Sequence, residues 1–184
     1  MNRPSDKAPL DPAVAGQSVL GVSGWSGAGK TALVTALIPA LKARGLSVST
    51  IKHAHHKFDV DTPGKDSHSH RLAGAEQVLV SSANRWAMMT ELRDAPEPSL
   101  EQLLAQLAPV DLVLVEGFKR ETWFPKIEVY RQANGKDPLW PQEPSVIAVA
   151  KPQADDLGAG APPALDLDNI EAIADYIIDW RSHG

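Results

Sequence analysis

The chain of 184 residues contains no cysteine, and only 5% of its residues are aromatic. The absence of cysteine excludes a disulfide framework, a thiolate metal site and a thiol nucleophile. No apolar run approaches the roughly 18 residues that a membrane-spanning helix needs. The net charge of −5 argues against general binding of nucleic acids or acidic membranes, because both need a basic surface. We therefore expect a globular cytoplasmic protein that binds neither nucleic acid nor membrane.

Apolar segments of strand and helix type alternate along the chain, which indicates parallel βαβ units with helices on the faces of a sheet. Strands are predicted over residues 17–23, 46–52, 77–81, 86–92, 111–116, 126–130 and 145–149. Helices are predicted over residues 30–44, 67–73 and 99–107, and after a capping box at Asp168 and Glu171. This pattern predicts an α/β fold with a mostly parallel sheet and helices on both faces.

The first 16 residues differ in composition from the rest of the chain. They are rich in proline, aspartate and alanine, and they lack the basic-then-apolar pattern of a secretion signal. We predict a flexible N-terminal tail over residues 1–16 and a single domain over residues 17–184.

Residues 24–31 read GWSGAGKT and fit the pattern G-x-x-x-x-G-K-[ST] of a phosphate-binding P-loop. An apolar run before them and a helix-favouring run after them supply the strand–loop–helix setting of a working motif. The glycines let backbone N–H groups turn toward phosphate oxygens, and the helix N-terminus adds a favourable dipole. The domain is therefore predicted to be a P-loop NTPase that binds a nucleoside triphosphate. Its predicted nucleotide contacts are Trp25, Ser26, Gly27, Ala28, Gly29, Lys30 and Thr31.

Two side chains of this loop have specific tasks in the motif. Lys30 offers a positive charge to the β- and γ-phosphates, and Thr31 offers its hydroxyl to Mg²⁺. The metal also needs an acidic partner at the end of a neighbouring strand, and Glu116 closes the apolar run 112–115. We predict Thr31 and Glu116 as Mg²⁺ ligands, and Lys30 and Glu116 as catalytic candidates.

A segment rich in histidine and charge, residues 52–71, follows the second predicted strand. The carboxyl ends of parallel strands form the ligand crevice, so this segment should overhang the nucleotide. In an extended chain Asp59 and Asp61 point to one side, so either is a candidate for a second Mg²⁺ ligand or for orienting the attacking water, and Asp61 is the preferred one. The histidines suit contacts to an anion better than a dedicated metal site, because the adjacent pair His55 and His56 matches no tight-site spacing.

The residues alone leave the base of the nucleotide open. Many GTP-specific P-loop proteins end a late strand with N/T-K-x-D, in which the aspartate pairs with the guanine edge. Here Lys151 follows such a strand, but Gln153 stands at the position of the aspartate. Both GTP and ATP are compatible with this pattern.

Taken together, several segments resemble the MobB family of molybdopterin-guanine dinucleotide biosynthesis adapter proteins. The resemblance runs from about Val19 to the terminal helix. The P-loop by itself is unspecific, whereas the histidine segment combined with VEGFK is much more distinctive. The segments that carry the resemblance are GWSGAGKT, IKHAHHKFDVDTPGKDS, RWAMMTEL, DLVLVEGFK and KIEVYR.

The resemblance implies a GTP-binding protein with weak GTPase activity that forms a homodimer. Its partner would be the guanylyltransferase that joins GMP to molybdenum-bound molybdopterin, and the molybdopterin cofactor itself is a further candidate ligand. By position, residues 25–31 would contact GTP and Glu116 would lie on the Mg²⁺ side, with the histidine segment over the site or facing the partner.

Two other functions share the P-loop. A small-molecule kinase needs a lid helix with arginines over the phosphates, and the candidates Arg71, Arg85, Lys119 and Arg120 lie in no evident lid helix. A metal-insertion GTPase of the nickel-chaperone kind is suggested by the histidines, but such proteins usually combine histidine with cysteine. Both absences favour the adapter.

Overall fold

The computed structural model describes residues 13–14, 17–54 and 58–183, and these residues group into two compact units. The first unit combines the chain up to His53 with the chain from Leu100, and the second unit spans Ala54–Ser99. Most of the predicted tail 1–16, the residues 55–57 and the last residue lie outside the described part.

The predicted strands and helices occur in the predicted order, with small shifts at their ends, and two short strands over residues 13–14 and 164–166 were not predicted. The strands are β1 (Ala13–Val14), β2 (Gln17–Ser23), β3 (Val48–Lys52), β4 (Gln77–Ser81), β5 (Trp86–Thr90), β6 (Leu112–Glu116), β7 (Lys126–Val129), β8 (Val146–Lys151) and β9 (Ala164–Asp166). The helices are α1 (Lys30–Ala43), α2 (Asp66–Leu72), α3 (Leu100–Leu104) and α4 (Ile170–His183), with short 3₁₀ turns at Gln132–Asn134 and Trp140–Gln142.

The first unit is built on a sheet with the strand order β3-β6-β2-β7-β8-β9. All neighbours along this order pair in parallel, and β1 adds an antiparallel pair with β2. The parallel strands place their carboxyl ends at one edge of the sheet, where ligands bind in folds of this class. The predicted mostly parallel α/β sheet is confirmed.

Helices cover both faces of this sheet, as the alternation of its apolar residues requires. On one face, Leu20 and Val22 of β2 pack with α1 and α4, and on the other face Val19 packs with α3. The strand β6 is buried on both faces, in agreement with its unbroken apolar run. Pro39 lies inside α1, and the helix continues through it to Ala43.

The predicted capping box before α4 is wrong by one residue. Asn169, not Asp168, caps the helix, because its side-chain oxygen accepts a hydrogen bond from Ala172 N at 3.1 Å. Asp168 instead donates its own N–H to Asp166.

The second unit contains α2 and a two-stranded antiparallel sheet of β4 and β5. In the described part of the chain, no helix has both the length and the apolar composition to cross a bilayer.

Candidate functional site

The loop 24–31 joins β2 to α1 at the carboxyl edge of the first unit's sheet. Gly24, Gly27 and Gly29 have φ angles of 135, 81 and 105°, a region that other residues rarely adopt. At Gly24 the requirement is also steric, because a Cβ atom there would lie 2.4 Å from the carbonyl oxygen of Val129. The loop therefore exposes backbone N–H groups in a tight curve that ends at the N-terminus of α1.

Lysine side chains make this loop electropositive. The Nζ atom of Lys30 donates a hydrogen bond to Trp25 O at 2.9 Å, which folds the side chain back over its own loop. Burial and the neighbouring charge of Lys119 lower the pKa of Lys30, Glu116 partly opposes this shift, and Lys52 adds to it. Three ammonium groups thus repel one another around the loop, and an anion bound there would relieve that repulsion.

Thr31, Glu116 and Lys52 form a second contact group beside the loop. The hydroxyl of Thr31 donates to Glu116 Oε1 at 2.8 Å and accepts from Lys52 Nζ at 3.3 Å, and Lys52 Nζ lies 3.4 Å from the same Oε1 atom. Strand pairing explains the meeting, since Glu116 stands level with Lys52 on β3 and with Val22 on β2. The Lys52 ammonium group lies within 3.4 Å of both Thr31 Oγ1 and Glu116 Oε1, so a cation is favourable there. Because Mg²⁺ prefers oxygen ligands, Thr31 and Glu116 fit the predicted metal.

Two residues that the sequence did not single out hold the loop from the β7 side. Arg131, two residues beyond β7, donates its Nε–H to Ala28 O at 3.1 Å. The indole N–H of Trp25 donates to Asp137 O at 2.7 Å, and Lys119 Nζ lies 4.9 Å from the centre of the Trp25 ring. The arginine that ends the KIEVYR segment was the only signal in the sequence for the first of these contacts.

A carboxylate lies beside Lys151 although Gln153 replaces the expected aspartate. Strand β9 places Asp166 level with Lys151, and Gln153 Nε2 donates to Asp166 Oδ2 at 2.6 Å. Lys151 Nζ donates in turn to the carbonyl oxygen of Gln153 at 3.3 Å. The lysine, the amide and the carboxylate therefore come together from two strands rather than from one motif.

The comparison with known proteins assigns a family. Residues 19–152 match the family described as Molybdopterin guanine dinucleotide synthesis protein B, MobB. The chain belongs to the MobB family. It is 44% identical over 165 residues to the protein of Escherichia coli (strain K12) named Molybdopterin-guanine dinucleotide biosynthesis adapter protein, a match that covers 88% of the chain and 92% of the relative. A protein of the same name from Haemophilus influenzae is 45% identical over 168 residues and covers 90% of each.

Solved structures of MobB proteins have the same fold. A crystal structure of molybdopterin-guanine biosynthesis protein B superposes with a TM-score of 0.68 at 25% identity, over 88% of this chain and 99% of that one. A MobB homologue from Bacillus stearothermophilus gives a TM-score of 0.66 at 24% identity, over 90% and 99%. The family resemblance drawn from the sequence motifs is confirmed, and it favours the adapter over the kinase and the metal-insertion GTPase.

Asp61 of this MobB-family chain lies in the second unit, in a cluster around Arg71. Its Oδ1 atom accepts a hydrogen bond from Ser67 Oγ at 2.8 Å, and its Oδ2 atom lies 3.4 Å from Arg71 Nε. Arg71 also pairs with Asp59 at 2.7 Å and Glu91 at 3.1 Å, and its hydrogen bond lowers the pKa of Asp59. Asp61 therefore has a structural task in its own unit, and its catalytic and metal-binding roles stay predictions.

The histidines of the predicted segment have different surroundings. His53 ends the first part of the first unit and stacks on Phe118 with ring centres 4.7 Å apart. His68 and His70 lie on α2 in the second unit, and His55 and His56 are outside the described residues. Within the described ranges, no group of three or more histidine, aspartate or glutamate side chains is arranged to hold a metal ion.

Proposed function

We propose that this chain is an adapter of molybdopterin guanine dinucleotide synthesis that binds GTP with Mg²⁺ on loop 24–31 and hydrolyses it slowly. The observation that carries this proposal is the convergence of the Lys30, Lys52 and Lys119 ammonium groups on a glycine-rich loop, with Glu116 as the opposing carboxylate. A triphosphate brings about four negative charges, which such a site is suited to neutralise. The pathway is that of the relatives from Escherichia coli and Haemophilus influenzae, which are named molybdopterin-guanine dinucleotide biosynthesis adapter proteins.

The proposed Mg²⁺ ligands are Thr31 Oγ1 and Glu116 Oε1. The Lys52 ammonium group lies beside these oxygen atoms, at the position proposed for the metal. Its side chain is 58% exposed, so it has room to move away when Mg²⁺ binds. When bound, the metal supplies charge neutralisation at the phosphate oxygens. Lys30 exchanges its hydrogen bond to Trp25 O for bonds to phosphate, and Thr31 and Glu116 orient the cation beside it.

We propose that Asp166 recognises the guanine base. Asp166 ends β9, which is separated from β2 by the two strands β7 and β8, so its carboxyl end lies about 14 Å from that of β2, a span within the length of an extended nucleoside triphosphate. A carboxylate accepts hydrogen bonds from the N1–H and the 2-amino group of guanine, whereas adenine offers no such pair of donors. Gln153 and Lys151 keep Asp166 in place.

The proposed partners are the guanylyltransferase and a second copy of the chain. In the hairpin, Leu79 and Met88 are cross-strand neighbours that are 61% and 42% exposed, and Trp86 on the same face is 65% exposed. A two-stranded sheet is marginally stable by itself, and such an apolar face is typical of an interface. We propose that β4 and β5 form the contact between two copies.

A titration of Trp25 fluorescence tests nucleotide binding directly. GTP and ATP are added with Mg²⁺ to the full-length protein, and Trp25→Phe identifies the part of the signal that comes from the loop. We expect saturable binding with a clear preference for GTP, and a roughly 10-fold to 100-fold weaker affinity for both nucleotides in Lys30→Ala. A preference for ATP would rule out the proposed GTP specificity, and an unchanged response in Lys30→Ala would rule out loop 24–31 as the binding site.

The adapter role is tested in a reconstituted reaction. Formation of the guanine dinucleotide by the purified guanylyltransferase is followed with and without this chain. We expect the wild-type chain to raise the yield and Lys30→Ala to raise it less. Equal yields with and without the chain would contradict the role.

A further inference from the structure

A cavity of about 520 Å³ opens beside loop 24–31 in the first unit. Its walls come from the end of β2, the segment after β6 and the connection from β7 to β8, and they are distinct from the Lys30–Thr31–Glu116 group. The size falls within the range of small-molecule sites. Among the residues that line it are Ser23, Trp25, Lys119, Lys136, Asp137 and Glu143.

Two fully buried charges of β7 hold the walls of this cavity in place. Glu128 accepts hydrogen bonds from the backbone N–H groups of Leu139 at 2.8 Å and Trp140 at 2.9 Å. Burial of the Glu128 carboxyl raises its pKa, and the two hydrogen bonds oppose that shift. This carboxylate therefore anchors the connection between β7 and β8 to the sheet.

Lys126 holds two walls of the cavity, the segment between β6 and β7 and the connection from β7 to β8. Its Nζ atom donates to Lys119 O at 3.3 Å and to Glu121 O, and it lies 3.5 Å from Glu143 Oε2. Lys126 and Glu128 are two residues apart on one strand, so both point to the same face. Burying an ionic group costs several kcal/mol unless it is paired, and apolar residues would stabilise a strand at least as well. The burial of Lys126 and Glu128 is therefore better explained by a need to hold the polar walls of the cavity in place than by the stability of the strand.

A buried hydroxyl in the wall has no partner in the described part of the chain. Ser23 is 1% exposed, lines the cavity, and its Oγ atom makes no hydrogen bond within the described residues. A buried polar atom without a hydrogen-bond partner is unfavourable, because it loses the hydrogen bonds that water provides in the unfolded chain. A ligand in the cavity would satisfy it.

The lining defines the chemistry of that ligand. The ammonium group of Lys136 suits a phosphate, and the carboxylate of Asp137 suits ring N–H and amino donors. Lys119 also faces loop 24–31, and Glu143 already accepts from Ser145 Oγ and pairs with Lys126. Trp25 adds an aromatic ring whose N–H is already bound to Asp137 O, so its orientation is set before a ligand arrives. A planar heterocycle with N–H donors and a phosphate meets all of these groups.

We propose that this cavity is a second ligand site, for a phosphorylated pterin bound at the same time as the nucleotide. The choice of a pterin rests on the proposed function, because the dinucleotide made in that pathway joins a pterin to guanine. Trp25 then contacts the nucleotide on loop 24–31 and the pterin in the cavity. The chain would bring the two halves of the product together.

Equilibrium dialysis of the full-length protein with 6-hydroxymethyl-7,8-dihydropterin diphosphate tests the proposal. The unphosphorylated alcohol is the matched probe without phosphate. Both are measured with saturating GTP and Mg²⁺, and again with Lys30→Ala. We expect the diphosphate to bind in all of these samples, and the alcohol to bind roughly 10-fold to 100-fold more weakly.

Variants assign the binding to the cavity. Lys136→Ala should weaken the diphosphate roughly 10-fold without affecting the alcohol, and Asp137→Asn should weaken both. Lys42→Ala, in the last turn of α1, is the matched control and should bind like wild type. Displacement of the pterin by GTP, no binding to wild type, or equal binding by Lys136→Ala and wild type would each overturn the second site.

These measurements distinguish a failure of the second-site proposal from a failure of the proposed function. The Trp25 fluorescence response to GTP reports the nucleotide site, and pterin dialysis with Lys30→Ala reports the cavity without it. A missing GTP response with intact pterin binding would reject only the nucleotide proposal.

Discussion

The hydroxyl of Thr31 lies 2.8 Å from Glu116 Oε1, although 85 residues separate the two positions along the chain. Parallel pairing of β2 with β6 brings them together, because it places the end of β6 beside the loop that follows β2. Neither residue is unusual in its own segment. Under the proposed function, this contact places a site for a divalent cation beside a helix N-terminus that suits an anion.

Replacing Thr31 by alanine should weaken GTP binding mainly when Mg²⁺ is present. The variant loses one metal-ligating oxygen but keeps the backbone N–H groups that contact phosphate. Titrations with Mg²⁺ and with EDTA should therefore differ less than for wild type. Thr35→Ala, one turn further along α1, is the matched control. Equal losses under both conditions would exclude Thr31 as a metal ligand.

Glu116→Gln should reduce GTP hydrolysis more than GTP binding. The amide keeps the size of the side chain and its hydrogen bond with Thr31, but it removes the charge that holds the cation. Phosphate release and Trp25 titration on the same sample separate the two effects. Asp61→Asn is measured beside it, because that carboxylate is the other catalytic candidate. Unchanged turnover in Glu116→Gln would remove Glu116 from the catalytic group.

Lys30→Ala should lower the affinity for GTP by roughly 10-fold to 100-fold, the effect of losing one charge-assisted hydrogen bond of about 1.5–3 kcal/mol. Its ammonium group is the one already folded over the loop, 2.9 Å from Trp25 O. Lys42→Ala, at the far end of the same helix, controls for a general loss of positive charge. Calorimetric titration gives both affinities, and similar values for the two variants would contradict the assignment.

Local sequence signals were sufficient for the elements that build the proposed nucleotide site. The apolar run before Gly24, the helix-favouring run after Lys30 and the unbroken apolar run that ends at Glu116 each report on their own surroundings. Each signal is contained within about ten residues. The loop, α1 and the strand that carries Glu116 were therefore predicted correctly.

Features that depend on strand order were not predictable in this way. Strand β9 has three residues and follows a segment rich in proline and glycine, so no periodic pattern reveals it or the role of Asp166. Lys126 and Glu128 alternate with Ile127 and Val129, which predicts a half-exposed strand. Both are buried, because the connection after β7 folds over that face and supplies partners for both, and the segment before β7 adds two backbone carbonyl groups for Lys126.

Asp166→Asn should reduce the preference for GTP over ATP. The amide keeps one acceptor but replaces the second by a donor, which opposes the donor pair of guanine. We expect GTP affinity to fall about 10-fold or more and ATP affinity to change little. Asp168→Asn, an exposed neighbour, is the control. An unchanged ratio of the two affinities would place guanine recognition elsewhere.

Leu79→Lys should shift the chain from dimer to monomer. The substitution places a charge in the centre of the exposed face of β4 and β5, opposite Met88, where a second copy would have to bury it. Sedimentation equilibrium over a range of concentrations gives the dissociation constant. Val60→Lys introduces the same charge at another exposed apolar position of the second unit. Dimers of equal stability in the two variants would exclude the hairpin as the interface.

Glu128→Gln should remove one pH-dependent contribution to the free energy of unfolding. Because burial raises the pKa of this carboxyl from its ordinary value of 4.5, the folded state holds its proton more tightly than the unfolded state. Between the ordinary and the raised pKa, the contribution of Glu128 to stability is present at low pH and is lost as pH rises, by up to about 1.4 kcal/mol per pH unit.

Urea unfolding of wild type and Glu128→Gln from pH 4.5 upward measures this contribution as a difference in slope. The variant is expected to have a stability close to that of wild type at low pH, because an amide and a protonated carboxyl each offer one full acceptor oxygen to the N–H groups of Leu139 and Trp140. As pH rises and the wild type loses the contribution of Glu128, the stability of the variant should increase relative to that of wild type. Glu101→Gln on α3 controls for the loss of a carboxylate. A difference that is constant with pH would show that Glu128 titrates alike in the folded and unfolded chain, so that its two hydrogen bonds offset its burial.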